Sequence, residues 1–257
     1  MSEQNIPNPT GSVTSRSDLE TMSTGETLGN IFFDPGETFE SLRKKPKFLV
    51  AGFIIIAMFL TVTVILFQKV NFEDFMRQQI EKNPRTAQMD PEQKEKAVKM
   101  QSGAIGKTIA YVIPFVAVAV VFAAGGGLYL LGVMAMGGVI QYKQAVSVWA
   151  YSSLPPAVVG TIVAIIVLLI KPADSIDLAH PETLSQANLG VIAGSSSGPI
   201  YALLSSMDLF QFYGLFLAAL GLRKVGKISS GAAWTIVLAL FVIKVLGKVG
   251  WAAAFGG

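Results

Sequence analysis

Residues 108–142, TIAYVIPFVAVAVVFAAGGGLYLLGVMAMGGVIQY, run for 35 positions without one charged side chain. A helix rising 1.5 Å per residue needs about 20 apolar residues to cross about 30 Å of hydrocarbon. The segment is therefore too long for one straight crossing and too short for two. We read it as a single tilted or kinked helix over about 108–136, with Pro114 and the run Gly125-Gly126-Gly127 as places to bend or to admit a neighbouring helix. Two further charge-free stretches, 48–68 and 144–170, are also long enough to cross, the latter as a span over about 145–170 with Pro155 and Pro156 inside it. Two prolines in mid-helix free backbone carbonyls and force a kink, and neighbouring helices or hydroxyls such as Ser152 and Ser153 can reoccupy them. Two more apolar stretches, about 199–222 and 231–254, are interrupted at Asp208 and Lys244.

Composition sets the same class. The chain of 257 residues is 52% hydrophobic and only 14% charged, against about 25% charged in soluble domains, and its mean hydropathy is +0.54. Lipid cannot satisfy exposed backbone groups, so long continuous apolar runs mean helices. The dyad alternation of a membrane barrel is absent. The fold class expected is all-α, a polytopic bundle of five transmembrane helices with short amphipathic interfacial helices. Residues 1–30 read as a disordered polar arm and 31–257 as the membrane domain. The first span reads as an uncleaved signal anchor.

Outside the spans, Asp34, Pro35 and Glu37 have the spacing of a capped helix start, and Phe39 and Leu42 share a face of that helix. Its basic end, Arg43, Lys44 and Lys45, followed by Lys47, is a candidate contact for anionic lipid, with the helix lying on the leaflet. Residues 71–107 are expected to form two amphipathic helices. The first has Phe72, Phe75, Met76 and Ile80 on one face, and the second is started by Asp90 and Pro91.

The formal charge of +3, from 20 Lys plus Arg against 17 Asp plus Glu, is topology information and not nucleic-acid affinity. Arg43, Lys44, Lys45 and Lys47 before span one and Arg223, Lys224 and Lys227 between spans four and five favour the cytoplasmic side, whereas the acidic 171–198 loop has only Lys171. The expected arrangement is a cytoplasmic N-terminus and an outside C-terminus, in a cytoplasmic (inner) membrane for a bacterial chain. Tyr142, Trp149 and Trp234 would lie at the inner boundary and Tyr111, Tyr201 and Trp251 at the outer.

Zero Cys and one His remove thiol chemistry and histidine-rich metal sites, so no catalytic residue, metal or cofactor is expected. Gly194-Ser195-Ser196-Ser197-Gly198 matches G-x-S-x-G and His180 is near in sequence, but a nucleophile elbow needs a strand before the serine; here a Gly/Ser linker leads into a helix. Spaced small residues, Gly214 with Ala218 and Gly160 with Ala164, suit internal packing or a homo-oligomer. Asp208 and Lys244 carry more weight, because a charge near the bilayer centre costs at least about 2.5–3.5 kcal/mol. If span four descends from Pro199 and span five ascends, both charges fall at one depth, and adjacent antiparallel helices would pair them. Ser205 and Gln211 lie on the same face as Asp208, and Tyr151, Pro155 and Pro156 are further polar or kink positions. The alternative for Lys244 is to snorkel outward with Lys248.

Several motifs occur together and in order: Phe32-Phe33-Asp34-Pro35-Gly36-Glu37-Thr38-Phe39, then Lys45-Pro46-Lys47, Tyr151-Ser152-Ser153-Leu154-Pro155-Pro156, the run Tyr201 through Phe210, and Gly221-Leu222-Arg223. By these the chain resembles the Yip-one (Ypt-interacting protein) domain family of five-span membrane proteins, in particular its bacterial-type branch. The resemblance implies a five-span helical protein with a cytosolic N-terminus. It also implies protein partners, since eukaryotic relatives bind prenylated Rab-type GTPases and shape membranes. This chain has no Asp-Leu-aromatic-Gly-Pro motif ahead of span one. The expectation is a non-enzymatic membrane-organising or partner-binding scaffold in contact with the bilayer and not with nucleic acid. A small transporter or channel component using the Asp208/Lys244 level is the alternative.

Overall fold

The computed structural model describes residues 22–83, 86, 88–176, 184, 187–193 and 198–255. Among the described residues ten α-helices follow one another: α1 Thr24–Asn30, α2 Pro35–Lys44, α3 Leu49–Lys69, α4 Phe72–Lys82, α5 Pro91–Ser102, α6 Ala104–Ala135, α7 Tyr142–Ile170, α8 Pro199–Leu204, α9 Leu209–Gly226 and α10 Ser230–Phe255. Four of them, α3, α6, α7 and α10, are long and apolar enough to cross a membrane. The stretch expected as the fourth continuous span, 199–222, is instead divided between α8 and α9. The 18 residues of α9 include Arg223 and Lys224 in its last turn.

The bundle is organised around α7, which packs against α3, α6 and α9. Val148, Tyr151 and Leu154 of α7 are sealed in the core. Glycine makes the α6–α7 approach possible. A Cβ built on Gly125 would lie 2.3 Å from the Trp149 ring, and one on Gly126 would lie 2.3 Å from Val146 Cγ2. The expected bend at this Gly run is not needed, because α6 is one helix through it and the missing side chains serve close packing. Around the double proline, Ser152 and Ser153 donate to Trp149 O at 3.1 and 2.8 Å. These hydroxyls therefore bond back onto the preceding turn and leave the carbonyls four residues before each proline to other arrangements.

At one end, the base, the α6–α7 turn meets the α9–α10 turn, with Val139 N donating to Gly226 O at 3.3 Å. Gly137 has φ +74°, and Lys227, which ends α9, has φ 52°. The helix expected on the leaflet is held in this base by protein. Phe39 and Leu42 of α2 are wholly buried, and α2 packs on α9 and α7. Gly221 opens the space: a Cβ there would meet Phe39 at 2.8 Å and Val148 at 2.7 Å. Asp34 Oδ1 caps α2 by accepting from Glu37 N at 2.9 Å. Glu40 pairs with Arg43 at 2.9 Å and with Lys224 at 3.7 Å. Residues 24–30, which fall within the expected polar arm 1–30, are helical. Ser23 and Glu26 form a reciprocal capping box that starts α1, and Thr27 and Ile31 are fully buried.

At the far end α4 and α5 pack on each other, one of the two placements, the other being the membrane surface, that their amphipathic pattern leaves open. Phe72 and Ile80 are buried, and Phe67 stacks edge-on against Phe72 at 4.7 Å. Asn71 caps α4 through Glu73 N. Asp90 makes no side-chain cap on α5, where Pro91 alone supplies the start. Lys69 Nζ donates to Leu168 O, placing a cation at the negative end of α7.

Two outcomes follow. Gly125→Ala should destabilise the protein by about 1–3 kcal/mol through overpacking against Trp149, read as a lower melting temperature in detergent. Gly127→Ala, with nothing within 4 Å of the new methyl, should be neutral or slightly stabilising. Second, the hydrogen bond from Arg77 at 2.6 Å holds the Glu95 carboxyl below its usual range. Its contribution is present above the unfolded-state value and is lost as pH falls through the lowered folded value. Hydrogen exchange of α4 and α5, corrected for intrinsic rates, should accelerate below the ordinary glutamate range, and Glu95→Gln should show that faster exchange already at neutral pH.

Candidate functional site

The division between α8 and α9 is written in Ser205-Ser206-Met207-Asp208. Ser206 Oγ donates to Ala202 O at 2.7 Å and Ser205 Oγ to the same carbonyl at 3.3 Å, so both hydroxyls compete for the helix's own acceptor. Asp208 then takes an extended conformation as the N-cap of α9, and its Oδ1 accepts from Gln211 N at 2.9 Å. A break inside a membrane bundle exposes backbone groups, and here the 187–192 loop closes it. Leu209 N donates to Ala187 O at 3.1 Å, and Leu189 N donates to Met207 O at 3.2 Å. Asn188 is buried beside them, its Oδ1 accepting from Gly190 N at 3.0 Å. Only glycine fits at 190, where a Cβ would lie 2.9 Å from Ser205 Cβ.

The last helix, α10, runs against both halves of the break. Lys248 Nζ donates to Ser205 Oγ at 2.8 Å, and Lys244 Nζ donates to Gln211 Oε1 at 2.5 Å. Asp208 and Lys244 are thus linked through Gln211, which gives its backbone N–H to one and its side-chain oxygen to the other. All of these residues line one end of a chamber of about 1110 Å³ between α3, α6, α7, α9 and α10. Most of the rest of its wall is apolar and aromatic, with Phe59, Phe122, Tyr129, Trp149 and Phe241, and Ser152 and Ser153 of α7 are also part of it. Pro156 lines it too. Gly214 faces Pro156 Cγ and the freed Ser152 carbonyl, where a Cβ would sit at 3.4 and 3.6 Å.

The structure therefore gathers Ser205, Asp208, Gln211 and Lys244 and adds Asn188 and Lys248 to them. Asp208-x-x-Gln211 has the spacing of a capping box just before an apolar run, the signal that marks a helix start here. Asn188 has no comparable signal. Tyr151 and Pro155 lie apart from the chamber lining; Tyr151 is wholly buried, and its hydroxyl has no hydrogen-bond partner among the described residues. Arg43, Lys44, Lys45 and Lys47 are at the base, where Lys44 and Lys45 are exposed and Lys47 donates to Met22 O. Ala164 and Ala218 are buried inside the bundle, so the small-residue pairs serve internal packing. His180 and residues 194–197 of the G-x-S-x-G match lie outside the described residues.

Removing the α9 cap by Asp208→Ala should cost about 0.5–2 kcal/mol, while Asp208→Asn, which keeps a capping oxygen, should stay close to the parent. Paired melting curves separate the capping role of Asp208 from its charge.

Comparison with known proteins places this architecture. A family model described as the Yip1 domain matches residues 29–252. The membrane protein YknW of Bacillus subtilis (strain 168) is 25% identical over 222 residues, covering 86% of this chain and 87% of that protein. No solved structure matches. With the match running from α1 into α10 of an apolar helical bundle, the chain belongs to the Yip1 domain family of membrane proteins.

Proposed function

We propose that this protein is a non-enzymatic membrane scaffold whose base, on the cytoplasmic side, docks protein partners and so organises the membrane around it. The observation that carries this reading is the seating of α2. Its apolar face is used up against α9 and α7, which leaves the polar face, with Lys44 and Lys45, as a rigid platform. A helix meant to float on lipid would keep its apolar face free. In this reading α8 and α9 together make the fourth of five crossings, since α10 packs along both. The basic flanks at Arg43 to Lys47 and at Arg223, Lys224 and Lys227 support a cytoplasmic base and an outside C-terminus. A GTPase-type partner is the family analogy, and a homo-oligomer is the other occupant of such a platform.

The chamber favours a second reading, a small transporter or channel component, because intramembrane ionisable residues default to pathways. Flux of ions or solutes in proteoliposomes that Asp208→Asn or Lys244→Met abolishes, with fold and abundance intact, would replace the scaffold reading.

The absence of Cys makes topology directly testable. Lys45→Cys should react with an impermeant maleimide only after the membrane is opened from the cytoplasmic side, and Ala253→Cys should react in intact cells. Crosslinking in native membrane should capture partners with the parent chain and lose them with Lys44→Glu/Lys45→Glu. Unchanged capture sinks the platform assignment.

A further inference from the structure

The chamber has the two-part chemistry of an amphiphile site. At about 1110 Å³ it exceeds the roughly 300–1,000 Å³ usual for small-molecule pockets, and it is walled by five helices. Most of the lining is aliphatic and aromatic, suited to hydrocarbon. Its charged groups lie together: Lys244, Lys248 and Asp208 are the charged residues among the described lining. Two cations and one anion leave a net charge of plus one facing an apolar space. Lys244 is exposed as a residue and lines the chamber, with its ammonium on Gln211 Oε1.

Lys244 and Lys248 are one helical turn apart on α10 and reach the same face, one to Gln211 and the other to Ser205. Small uncharged donors and acceptors surround them, Asn188, Ser205 and Gln211. Apolar depth runs from this polar end toward Tyr129 and Trp149, whose rings meet at a tilt with centroids 4.8 Å apart. Trp149 sits near the start of α7, two turns above Tyr142, whereas Lys248 is near the end of α10. The interval along the bundle is about 16 Å at 1.5 Å per residue, close to one leaflet of hydrocarbon.

We propose that the chamber is a binding site for one anionic phospholipid. Its phosphate is held by Lys244 and Lys248 and its acyl chains occupy the aromatic-lined depth. A headgroup with one negative charge cancels the surplus of the lysine pair. Hydrocarbon chains cover apolar walls that would otherwise face open space. Ser205 and Gln211 are positioning residues that orient the two ammonium groups. The site is independent of the platform at the base and stands whether or not that surface binds a partner.

The full chain purified in mild detergent should retain one phosphatidylglycerol per protomer by native mass spectrometry. It should take up added phosphatidylglycerol at least tenfold more tightly than phosphatidylcholine. Lys244→Met/Lys248→Met should lose that preference, while Lys244→Arg/Lys248→Arg keeps it. Ala117→Phe, which fills the apolar wall and leaves both lysines, should lose lipid of either kind. With Trp234→Phe and Trp251→Phe, Trp149 is the remaining indole of three, and brominated-chain phosphatidylglycerol should quench it where a brominated phosphatidylcholine does not. Equal retention of the two lipids, or unchanged preference in the Met variant, overturns the proposal. So does inorganic phosphate stabilising the protein as strongly as the lipid, because that assigns the lysines to a free anion. If the Met variant does not accumulate, the Arg and Ala117→Phe variants and the Trp149 quenching still decide it.

Discussion

Hydrocarbon offers no hydrogen bonds, so every backbone group that a helix break releases must be answered from within the protein. In this bundle the answer is the 187–192 loop, whose backbone pairs with 207 and 209 across the gap between α8 and α9. The arrangement around it depends on that closure. Asp208 can serve as a cap because the chain has already stopped being helical. Ser205 and Gln211 can meet Lys248 and Lys244 because the two helix ends present them on one side. A continuous helix through 205–208 would satisfy its own backbone and would have no use for the inserted loop.

The remaining contacts rest on the absence of side chains at a few positions. Gly125 and Gly126 admit Trp149 and Val146, and Gly221 admits Phe39. The last of these joins two regions that composition separates, since α2 is amphipathic and α9 apolar. Without the space over Gly221 the helix would have only lipid for its Phe39 and Leu42. With it, α2 becomes part of the bundle's base, fastened further by Glu40 to Lys224 and by Gln144 to Arg43 O.

Much of this was legible in the residues. Apolar length located α3, α6, α7 and α10, and the Phe72, Phe75, Met76, Ile80 face located α4. Depth counting along an assumed straight helix put Asp208 and Lys244 at one level as a direct pair; the structure has both among the chamber lining, with Gln211 contacting each. The assumption of straightness hid the break, because an apolar run looks alike whether its helix is whole or divided. The local signal was present in Asp208-x-x-Gln211 but was outweighed by length. Asn188 and Gly190 were not legible, since their role exists only once a distant loop enters the gap. The seating of α2 was missed for a similar reason: periodicity tells which face is apolar and not whether lipid or protein covers it.

The lysine contacts of α10 have a mechanical side. An unbroken helix such as α7 carries load along its own ladder of backbone bonds. Between α8 and α9 that ladder is interrupted, and force along the bundle axis passes instead through two side-chain contacts one turn apart and a short loop bridge. Such a joint yields in angle before it yields in length. A change in bilayer thickness or lateral pressure would therefore be taken up first at 205–208, which holds Asp208 and the Ser205 contact of Lys248, and least in the rigid post formed by α7.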